Sequence, residues 1–215
     1  MINSILKNLR QEYEETPLNE DTVLKDPIKQ FAKWFEEAVR AGLPEPNAMT
    51  LATASVDFKP FARIVLLKGI EEGTFLFFTN YNSKKGKELL WKPYATLLFF
   101  WNELHRQVRI EGRVKKISKK KSDEYFYSRP EESKLSAVIS PQSEVIENRH
   151  WLEKKLAAAT KDYSGRQIPR PEHWGGYQVI PQAIEFWQGR ANRLHDRLQF
   201  TLVDQNEWKM KRLAP

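Results

Sequence analysis

Two basic side chains stand at the ends of a short apolar segment, where a charge is costly to bury. Arg63 opens the segment and Lys68 closes it, with Ile-Val-Leu-Leu between them. A buried cation without a counter-charge costs several kcal/mol, so each must meet an anion or reach water. In an ideal strand the two lie roughly 16 Å apart on opposite faces. Two anionic groups, or one long anionic ligand, satisfy both; two charges that reach solvent at the strand ends are the alternative.

A second basic site coincides with a predicted helix start. Ser83 is a typical N-cap residue, and Lys84 and Lys85 follow it. The free N–H groups of the first turn, the positive end of the helix dipole and two ammonium groups together favour a phosphate. An ordinary capped surface helix is the alternative.

A third group consists of Tyr125, Arg129 and Ser133, which repeat every four residues along a helical region. This spacing places a phenol, a guanidinium and a hydroxyl on one side of a helix. All three donate hydrogen bonds, and a guanidinium binds a phosphate in bidentate fashion. Pro130 disturbs the helix, and a plain polar helix face is the alternative.

The fourth group lies in the segment RLHDR at residues 193–197. In an extended segment Arg193, His195 and Arg197 share one face. Two guanidinium groups beside an imidazole are costly unless an anion lies among them, and they favour the neutral imidazole. Together, the four groups indicate a phosphorylated cofactor beside a phosphorylated substrate.

The composition excludes several other kinds of chemistry. The chain of 215 residues has no cysteine, which excludes disulfides, thiolate metal sites and a cysteine nucleophile. No two of its 4 histidines have metal-ligand spacing, so we expect no metal. The G-x-G-x-x-G, P-loop and G-x-S-x-G signatures of NAD, ATP and esterase sites are absent.

The net charge of +7 favours anionic partners, among them nucleic acid, anionic lipid and small phosphorylated molecules.

The hydropathy pattern gives no indication of a membrane protein. The longest apolar stretch, residues 95–101, is far shorter than the roughly 20 residues that a spanning helix needs. The first residues lack the charged start and apolar stretch of a secretory signal. We therefore expect a cytoplasmic protein.

Some of these basic and polar groups fall on predicted helices, and one predicted helix has clear signals at both of its ends. Asp26 is an N-cap, Pro27 is the first helical residue, and Gly42 follows the end. Further helices are expected at residues 2–14, from Ser83 to about 92, from Ser118 to about 127, from Pro130, and from Ser143 to 160.

Alternating apolar patterns predict nine strands, at residues 48–55, 61–69, 74–79, 94–101, 106–117, 176–180, 183–188, 197–203 and 207–212. Turn residues at 56–60, 71–73 and 204–206 favour antiparallel hairpins. Residues 61–67 are apolar on both faces, which predicts a central, buried strand. An antiparallel barrel decorated by helices fits one domain of this size.

Several segments together resemble the pyridoxine/pyridoxamine 5′-phosphate oxidase family. The combination of RIVLLK with IEFWQG and RLHDR is specific, whereas FTN or WGG alone is not. The resemblance extends over about residues 10–215. Its segments are RIVLLK from Arg63, FTN from Phe78, RQVRIEG from Arg106, SRP from Ser128, PQS from Pro141, WGG from Trp174, IEFWQG, RLHDR and the closing KMKRLAP.

This resemblance implies a mainly β fold with helices (α+β), namely an FMN-binding split β-barrel: an antiparallel, Greek-key-like barrel decorated by helices. Residues 1–215 would form a single such domain, in which residues 1–25, a helix and a loop, are mobile and cover the active site. A homodimer with FMN at the subunit interface is also implied, with no nucleic-acid or membrane partner.

The resemblance further implies the roles of individual residues. Arg193 and His195 would be catalytic and close over the pyridine ring of the substrate, while Arg10 and Tyr13 help to cover it. The substrate phosphate would be held by Lys68, Tyr125, Arg129 and Ser133. FMN would be bound by Arg63, Ile64, Val65, Leu66, Leu67, Lys68, Phe78, Thr79, Lys84, Lys85, Gln107, Gln142, Ser143, Trp187 and Arg197.

The implied reaction transfers a hydride from C4′ of pyridoxine or pyridoxamine 5′-phosphate to flavin N5 and yields pyridoxal 5′-phosphate, in the biosynthesis or salvage of vitamin B6. Molecular oxygen then reoxidises the flavin and gives hydrogen peroxide. Two positions depart from the common pattern: Phe78 replaces a tyrosine, and Lys84 replaces an arginine, which exchanges a bidentate fork for a point charge.

Two alternatives stay open at this point. The same basic and aromatic residues suit a nucleic-acid-binding barrel, which would purify colourless and lose affinity steeply with salt. Another FMN split-barrel protein with a different substrate, or one that merely stores the cofactor, is the closer rival. Such a protein would not require the group Tyr125, Arg129 and Ser133 or the RLHDR segment.

Overall fold

A computed structural model of the chain describes residues 17–204 and 207–215. The N-terminal helix expected at 2–14, with Arg10 and Tyr13, lies outside these residues, as does most of the turn expected at 204–206. No helix of the described residues is both long and apolar enough to cross a membrane.

Strands dominate the described residues, and helices are inserted between them. The strands are β1 (Ala48–Ala54), β2 (Pro60–Leu66), β3 (Gly69–Glu71), β4 (Thr74–Asn80), β5 (Tyr94–Trp101), β6 (Arg106–Lys116), β7 (Trp174–Gln188), β8 (Asp196–Asp204) and β9 (Glu207–Arg212). The helices are α1 (Pro27–Arg40), α2 (Lys84–Trp91), α3 (Lys119–Ser128), α4 (Glu131–Ile139) and α5 (Arg149–Asp162).

The strands form a sheet in the order β2-β1-β5-β6-β7-β4-β3, with β8 beside β7 and β9 beside β8. The pairs β3–β4, β4–β7, β7–β8 and β8–β9 are all antiparallel. In β6 the apolar residues Val108, Ile110 and Val114 are buried, whereas Arg113 is exposed, as the alternation predicted. The mainly antiparallel β fold with helices is therefore confirmed.

The chain divides into two compact units. Within the described residues, the first comprises residues 17–50, Thr96–Glu111, 181–204 and 207–215, and the second comprises Leu51–Ala95 and Gly112–Ile180. Each is described by itself.

Helix α1 lies in the first unit and has the end signals that the sequence predicted. The Asp26 side chain accepts hydrogen bonds from the N–H groups of Ile28 and Lys29, and Pro27 opens the helix. Gly42 follows the end with a φ of 72°, a conformation that favours glycine. The buried face of α1 packs aromatic rings, since Phe31 lies 4.9 Å from Phe99 edge to face.

Helices α3, α4 and α5 of the second unit enclose a core of Phe126, Leu135, Ala159, Ile168 and Trp174. The WGG segment at the start of β7 needs its glycines, because the backbone there passes very close to neighbouring side chains. A Cβ on Gly176 would lie 2.4 Å from Ile117, and one on Gly175 would lie 2.2 Å from the Tyr81 hydroxyl.

The prediction of a central, buried strand at residues 61–67 is wrong. Strand β2 lies at one end of the strand order, it stops at Leu66, and Ile64 is 65% exposed. An all-apolar pattern shows that both faces are to be covered, but it does not show what covers them.

Two element boundaries also differ from the prediction. Residues 174–188 form one strand rather than two, because β7 pairs with β4 before Pro181 and with β8 after it. The proline, which has no N–H group, lies between these two ladders. Helix α5 begins at Arg149 instead of Ser143, since Ser143 has a φ of 74° and Asn148 is the N-cap.

Candidate functional site

A cavity of about 620 Å³ in the second unit contains most of the phosphate-compatible side chains that the sequence indicated. Lys84 and Ser143 line a neighbouring cavity of about 350 Å³, which shares Gln142 with the first. Leu67 is buried and lines neither cavity. The predicted residues that line the larger cavity are Arg63, Ile64, Val65, Leu66, Lys68, Phe78, Thr79, Lys85, Tyr125, Arg129, Ser133 and Gln142.

Lys85 supplies a buried positive charge at this cavity. Helix α2 begins as predicted, with the Ser83 hydroxyl accepting from the N–H of Gly86, and this turn directs Lys85 inward. Its Nζ lies 3.3 Å from both the Thr79 hydroxyl and the Gln142 side-chain oxygen. Burial, assisted by the charge of Arg63, lowers the pKa of Lys85. Within the described residues no ion pair with a carboxylate is formed, so the ammonium group is suited to an anionic ligand.

Arg63 has a partner that sequence reasoning missed. Its Nη2 donates to Glu88 Oε2 at 2.9 Å, and its Nη1 donates to the Leu51 carbonyl and the Thr53 hydroxyl. Glu88 is only 5% exposed, and its Oε1 has no hydrogen-bond partner. A signal was available, because Lys85, Glu88 and Leu89 share the buried face of α2 at helical spacing. Arg63 is thus held by a protein carboxylate as well as lining the cavity.

Arg129, like Lys85, is a desolvated cation of this cavity that forms no ion pair with a carboxylate of the described residues. Its Nη1 is buried and has no hydrogen-bond partner, and burial lowers its pKa. Tyr125 and Ser133 line the same cavity, as does the exposed Lys68. A guanidinium that is desolvated and lacks a counter-charge fits an anionic ligand such as a phosphate.

The break between two helices that the sequence predicted at Pro130 is present, and Tyr125, Arg129 and Ser133 meet at the cavity from both sides of it. Helix α3 ends at Ser128, Arg129 has an extended backbone, and α4 begins after Pro130. Pro130 provides no side-chain cap, so the first turn of α4 keeps its N–H groups free of one.

Three aromatic rings form a stack beside the guanidinium of Arg129. Phe78 and Tyr125 are 3.8 Å apart with an angle of 20° between their planes, and Tyr125 and Trp174 are 6.2 Å apart with an angle of 4°. Burial raises the pKa of the Tyr125 hydroxyl, which therefore stays protonated and can donate. Trp174 was noted in the sequence only as part of WGG, and its place at the cavity was missed.

Five further predicted residues belong to the first unit: Gln107, Trp187, Arg193, His195 and Arg197. The rings of Trp187 and His195 lie 4.7 Å apart. The Arg190 N–H donates to His195 Nδ1 at 3.1 Å, and burial, together with the charge of Arg193, lowers the pKa of His195. The predicted preference for a neutral imidazole agrees with this direction.

The expected extended backbone over residues 193–197 is wrong at its start. Asn192 and Arg193 have φ values of 56° and 60°, and β8 begins only at Asp196. A turn in the left-handed region therefore precedes His195, so the extended geometry assumed for Arg193 is absent. The strand predicted from Arg197 begins one residue earlier, at Asp196.

Arg197 is held by a buried carboxylate, as Arg63 is. Glu185, 3% exposed, accepts hydrogen bonds from Arg197 Nε at 2.8 Å and from Arg109 Nη2 at 2.6 Å. The hydrogen bond that Arg197 donates to Glu185 raises the pKa of Arg197. Glu185 was missed because a charged residue in the apolar segment IEFW carries no sign of its partner in the sequence.

Comparisons with known proteins match nearly the whole chain. The family model of pyridoxamine 5′-phosphate oxidase matches residues 35–161, and that of the pyridoxine 5′-phosphate oxidase C-terminal dimerisation region matches residues 174–215. The chain is 53% identical over 210 residues to a pyridoxine/pyridoxamine 5′-phosphate oxidase of Trichormus variabilis, with 98% of each chain covered. It is 52% identical over 211 residues to one of Paraburkholderia phytofirmans, with 98% of this chain and 99% of the relative covered.

Solved structures give a consistent result. PhzG of Burkholderia lata, in complex with tetrahydrophenazine-1-carboxylic acid, is similar with a TM-score of 0.87 and 29% identity, covering 94% of this chain and all of that one (100%). A pyridoxamine 5′-phosphate oxidase-related, FMN-binding protein of Nostoc punctiforme has a TM-score of 0.73 at 16% identity, covering 88% of this chain and 98% of that one. The second similarity concerns the fold alone, and it confirms the fold class expected from the sequence.

Proposed function

The chain belongs to the pyridoxine/pyridoxamine 5′-phosphate oxidase family, and on this premise we propose that it oxidises pyridoxine 5′-phosphate and pyridoxamine 5′-phosphate to pyridoxal 5′-phosphate with FMN as its cofactor. One observation from the structure supports this proposal independently of family membership. Lys85 and Arg129 line the same cavity, both are desolvated, and neither is paired with a carboxylate of the described residues. Two cations fit two phosphate monoesters, one on the cofactor and one on the substrate.

The cofactor is held, in this proposal, by the side chains around α2 and β2. Lys85 and Arg63 take the FMN phosphate, and Lys84, Gln142 and Ser143 assist from the adjoining cavity. Gln107, Trp187 and Arg197 of the first unit are further proposed FMN ligands. When bound, FMN supplies the flavin N5 that accepts a hydride from C4′ of the substrate, and oxygen reoxidises it with formation of hydrogen peroxide.

The substrate phosphate binds Arg129, Lys68, Ser133 and Tyr125, of which only Lys68 is exposed. Arg193 and His195 close over the pyridine ring, and Arg10 and Tyr13 cover it. Because His195 Nδ1 accepts from the Arg190 N–H, the neutral imidazole carries its proton on Nε2. His195 therefore donates from Nε2 to a ring substituent, while Arg193 orients C4′.

We propose a homodimer with FMN at the subunit interface, and the cytoplasm as its location. Several large apolar side chains of the second unit are exposed, among them Phe58 (74%), Trp91 (69%) and Ile64 (65%). Apolar groups of this size, together with the unpaired edge of β2, are typical of a surface that another chain covers. The matched C-terminal dimerisation region supports the same assembly.

A related branch provides the competing substrate class, because the similar PhzG structure contains a tetrahydrophenazine carboxylic acid. Purified protein should be yellow, should elute as a dimer, and should form hydrogen peroxide with both B6 phosphates. Unphosphorylated pyridoxine and pyridoxamine are the matched controls and should react poorly. Folded protein that binds no FMN, or that oxidises no B6 phosphate, would refute the proposal.

A further inference from the structure

Trp174 contacts three members of the cavity wall. The Cζ atom of Arg129 lies 4.6 Å from the centre of the indole ring, within the range of a cation–π interaction. Tyr125 is nearly parallel to the same ring, and Phe78 lies 5.6 Å away with an angle of 16° between the planes. Trp174 is only 6% exposed, so its ring is fixed within the wall rather than extended into solvent.

The position of Trp174 is itself well determined. The backbone N–H of Trp174 donates to the Pro171 carbonyl at 3.0 Å, and the backbone carbonyl of Trp174 accepts from Arg170 Nη1. Phe126 packs against the indole edge at 5.2 Å with an angle of 67°. The indole can therefore serve as a rigid platform for Arg129.

An aromatic ring can fix the position of Arg129 without neutralising its charge, whereas a carboxylate cannot. Arg129 is desolvated, its Nη1 has no partner, and its backbone lies in the break between α3 and α4. A carboxylate would fix the guanidinium but neutralise the charge that a phosphate needs. The face of an indole attracts the guanidinium and leaves its net charge and its N–H groups available to an anion.

We propose that Trp174 is a positioning residue that sets the preference of this site for phosphorylated over unphosphorylated substrates, acting through Arg129. The inference rests on the proposed function and names a determinant of its specificity. Trp174 acts on the phosphate end of the ligand alone, and the oxidation step does not require it.

The test compares Trp174→Leu, which removes the aromatic face, with Trp174→Phe, which keeps one. The probes are 4-deoxypyridoxine 5′-phosphate and 4-deoxypyridoxine, which cannot be oxidised at C4′, titrated into the FMN-loaded protein. We expect the leucine variant to bind the phosphorylated probe about tenfold more weakly and the phenylalanine variant to stay within about threefold of wild type. Binding of the unphosphorylated probe should be the same in all three proteins.

Two further measurements separate positioning from a merely structural role. In steady-state assays the leucine variant should raise KM for pyridoxine 5′-phosphate and leave kcat nearly unchanged. In an Arg129→Leu background the leucine substitution at Trp174 should add almost nothing, because its effect passes through the guanidinium. If Trp174→Leu does not fold, Trp174→Met takes its place, and thermal melting of the FMN-loaded proteins shows which variants are comparable.

Equal losses in the leucine and phenylalanine variants would overturn the inference. So would equal losses for both probes, or a full additional loss in the Arg129→Leu background. Failure of the proposed function gives a different result, namely wild-type protein that does not distinguish the phosphorylated probe from the unphosphorylated one.

Discussion

The Nη2 atom of Arg63 lies 2.9 Å from Oε2 of Glu88, in an ion pair whose carboxylate is 5% exposed. We expect Glu88→Gln to lower the free energy of unfolding by about 2 kcal/mol, because a desolvated guanidinium then loses its counter-charge. Urea denaturation of the apoprotein measures this. The matched control is Glu144→Gln, whose pair with Lys87 is exposed and should contribute less than about 0.5 kcal/mol. Equal effects of the two substitutions would contradict a structural role for Glu88.

Lys85→Gln should weaken FMN binding by about 10- to 100-fold, since a charge-assisted hydrogen bond to the phosphate is lost. The apoprotein should be at least as stable as wild type, because the substitution removes a desolvated charge. Fluorescence titration with FMN measures the affinity. Lys87→Gln on the exposed face of the same helix is the control, and a similar loss there would show that only the net charge matters.

Arg129→Leu should raise KM for pyridoxine 5′-phosphate by about 100-fold and leave FMN affinity unchanged, because in the proposed function the guanidinium binds the substrate phosphate rather than the cofactor. Steady-state kinetics and flavin titration measure the two quantities. An unchanged KM would remove Arg129 from the substrate site.

The protonation of His195 gives a pH-dependent prediction. Burial and the charge of Arg193 lower its pKa below the ordinary value of 6.5, so folding favours the neutral imidazole. This contribution to stability is complete above the ordinary pKa and is lost as the pH falls through the folded-state pKa.

Arg193→Gln removes one of the two causes, and we expect the pKa of His195 to rise towards its ordinary value. NMR titration of the ring protons measures the change, with the exposed His150 as an internal reference. Turnover should also fall while FMN stays bound. A pKa that does not move would exclude electrostatic contact between the two side chains.

Phe58→Asp should convert the proposed dimer to monomers, since it places a charge in an exposed apolar surface. Light scattering after size exclusion measures the mass. Val145→Asp, at a fully exposed position (101%), should leave the assembly unchanged. A dimer that survives the first substitution places the interface elsewhere.

A structural feature could be predicted from the sequence where residues close together in the chain decide it. The N-caps Asp26, Ser83 and Ser118 were predictable because a cap is decided within four residues. The exposure of Ile64 was not, because a strand that is apolar on both faces does not specify which chain covers it. The cavity residues came largely from family resemblance, and the partners Glu88, Glu185 and Trp174 had to be read from the structure. Their partners lie 25, 12 and 45 residues away in the chain.

Lys85 and Arg129, which pair with no carboxylate within the described part of the chain, have a consequence for the stability of the protein. The lost hydration of both groups opposes folding until phosphorylated ligands compensate it, so ligand occupancy and folding are thermodynamically linked. A ligand at 100 times its Kd adds about 2.7 kcal/mol to the stability of the state that binds it. The lifetime of this protein should therefore follow the supply of flavin, and a shortage of flavin would reduce its abundance as well as its activity.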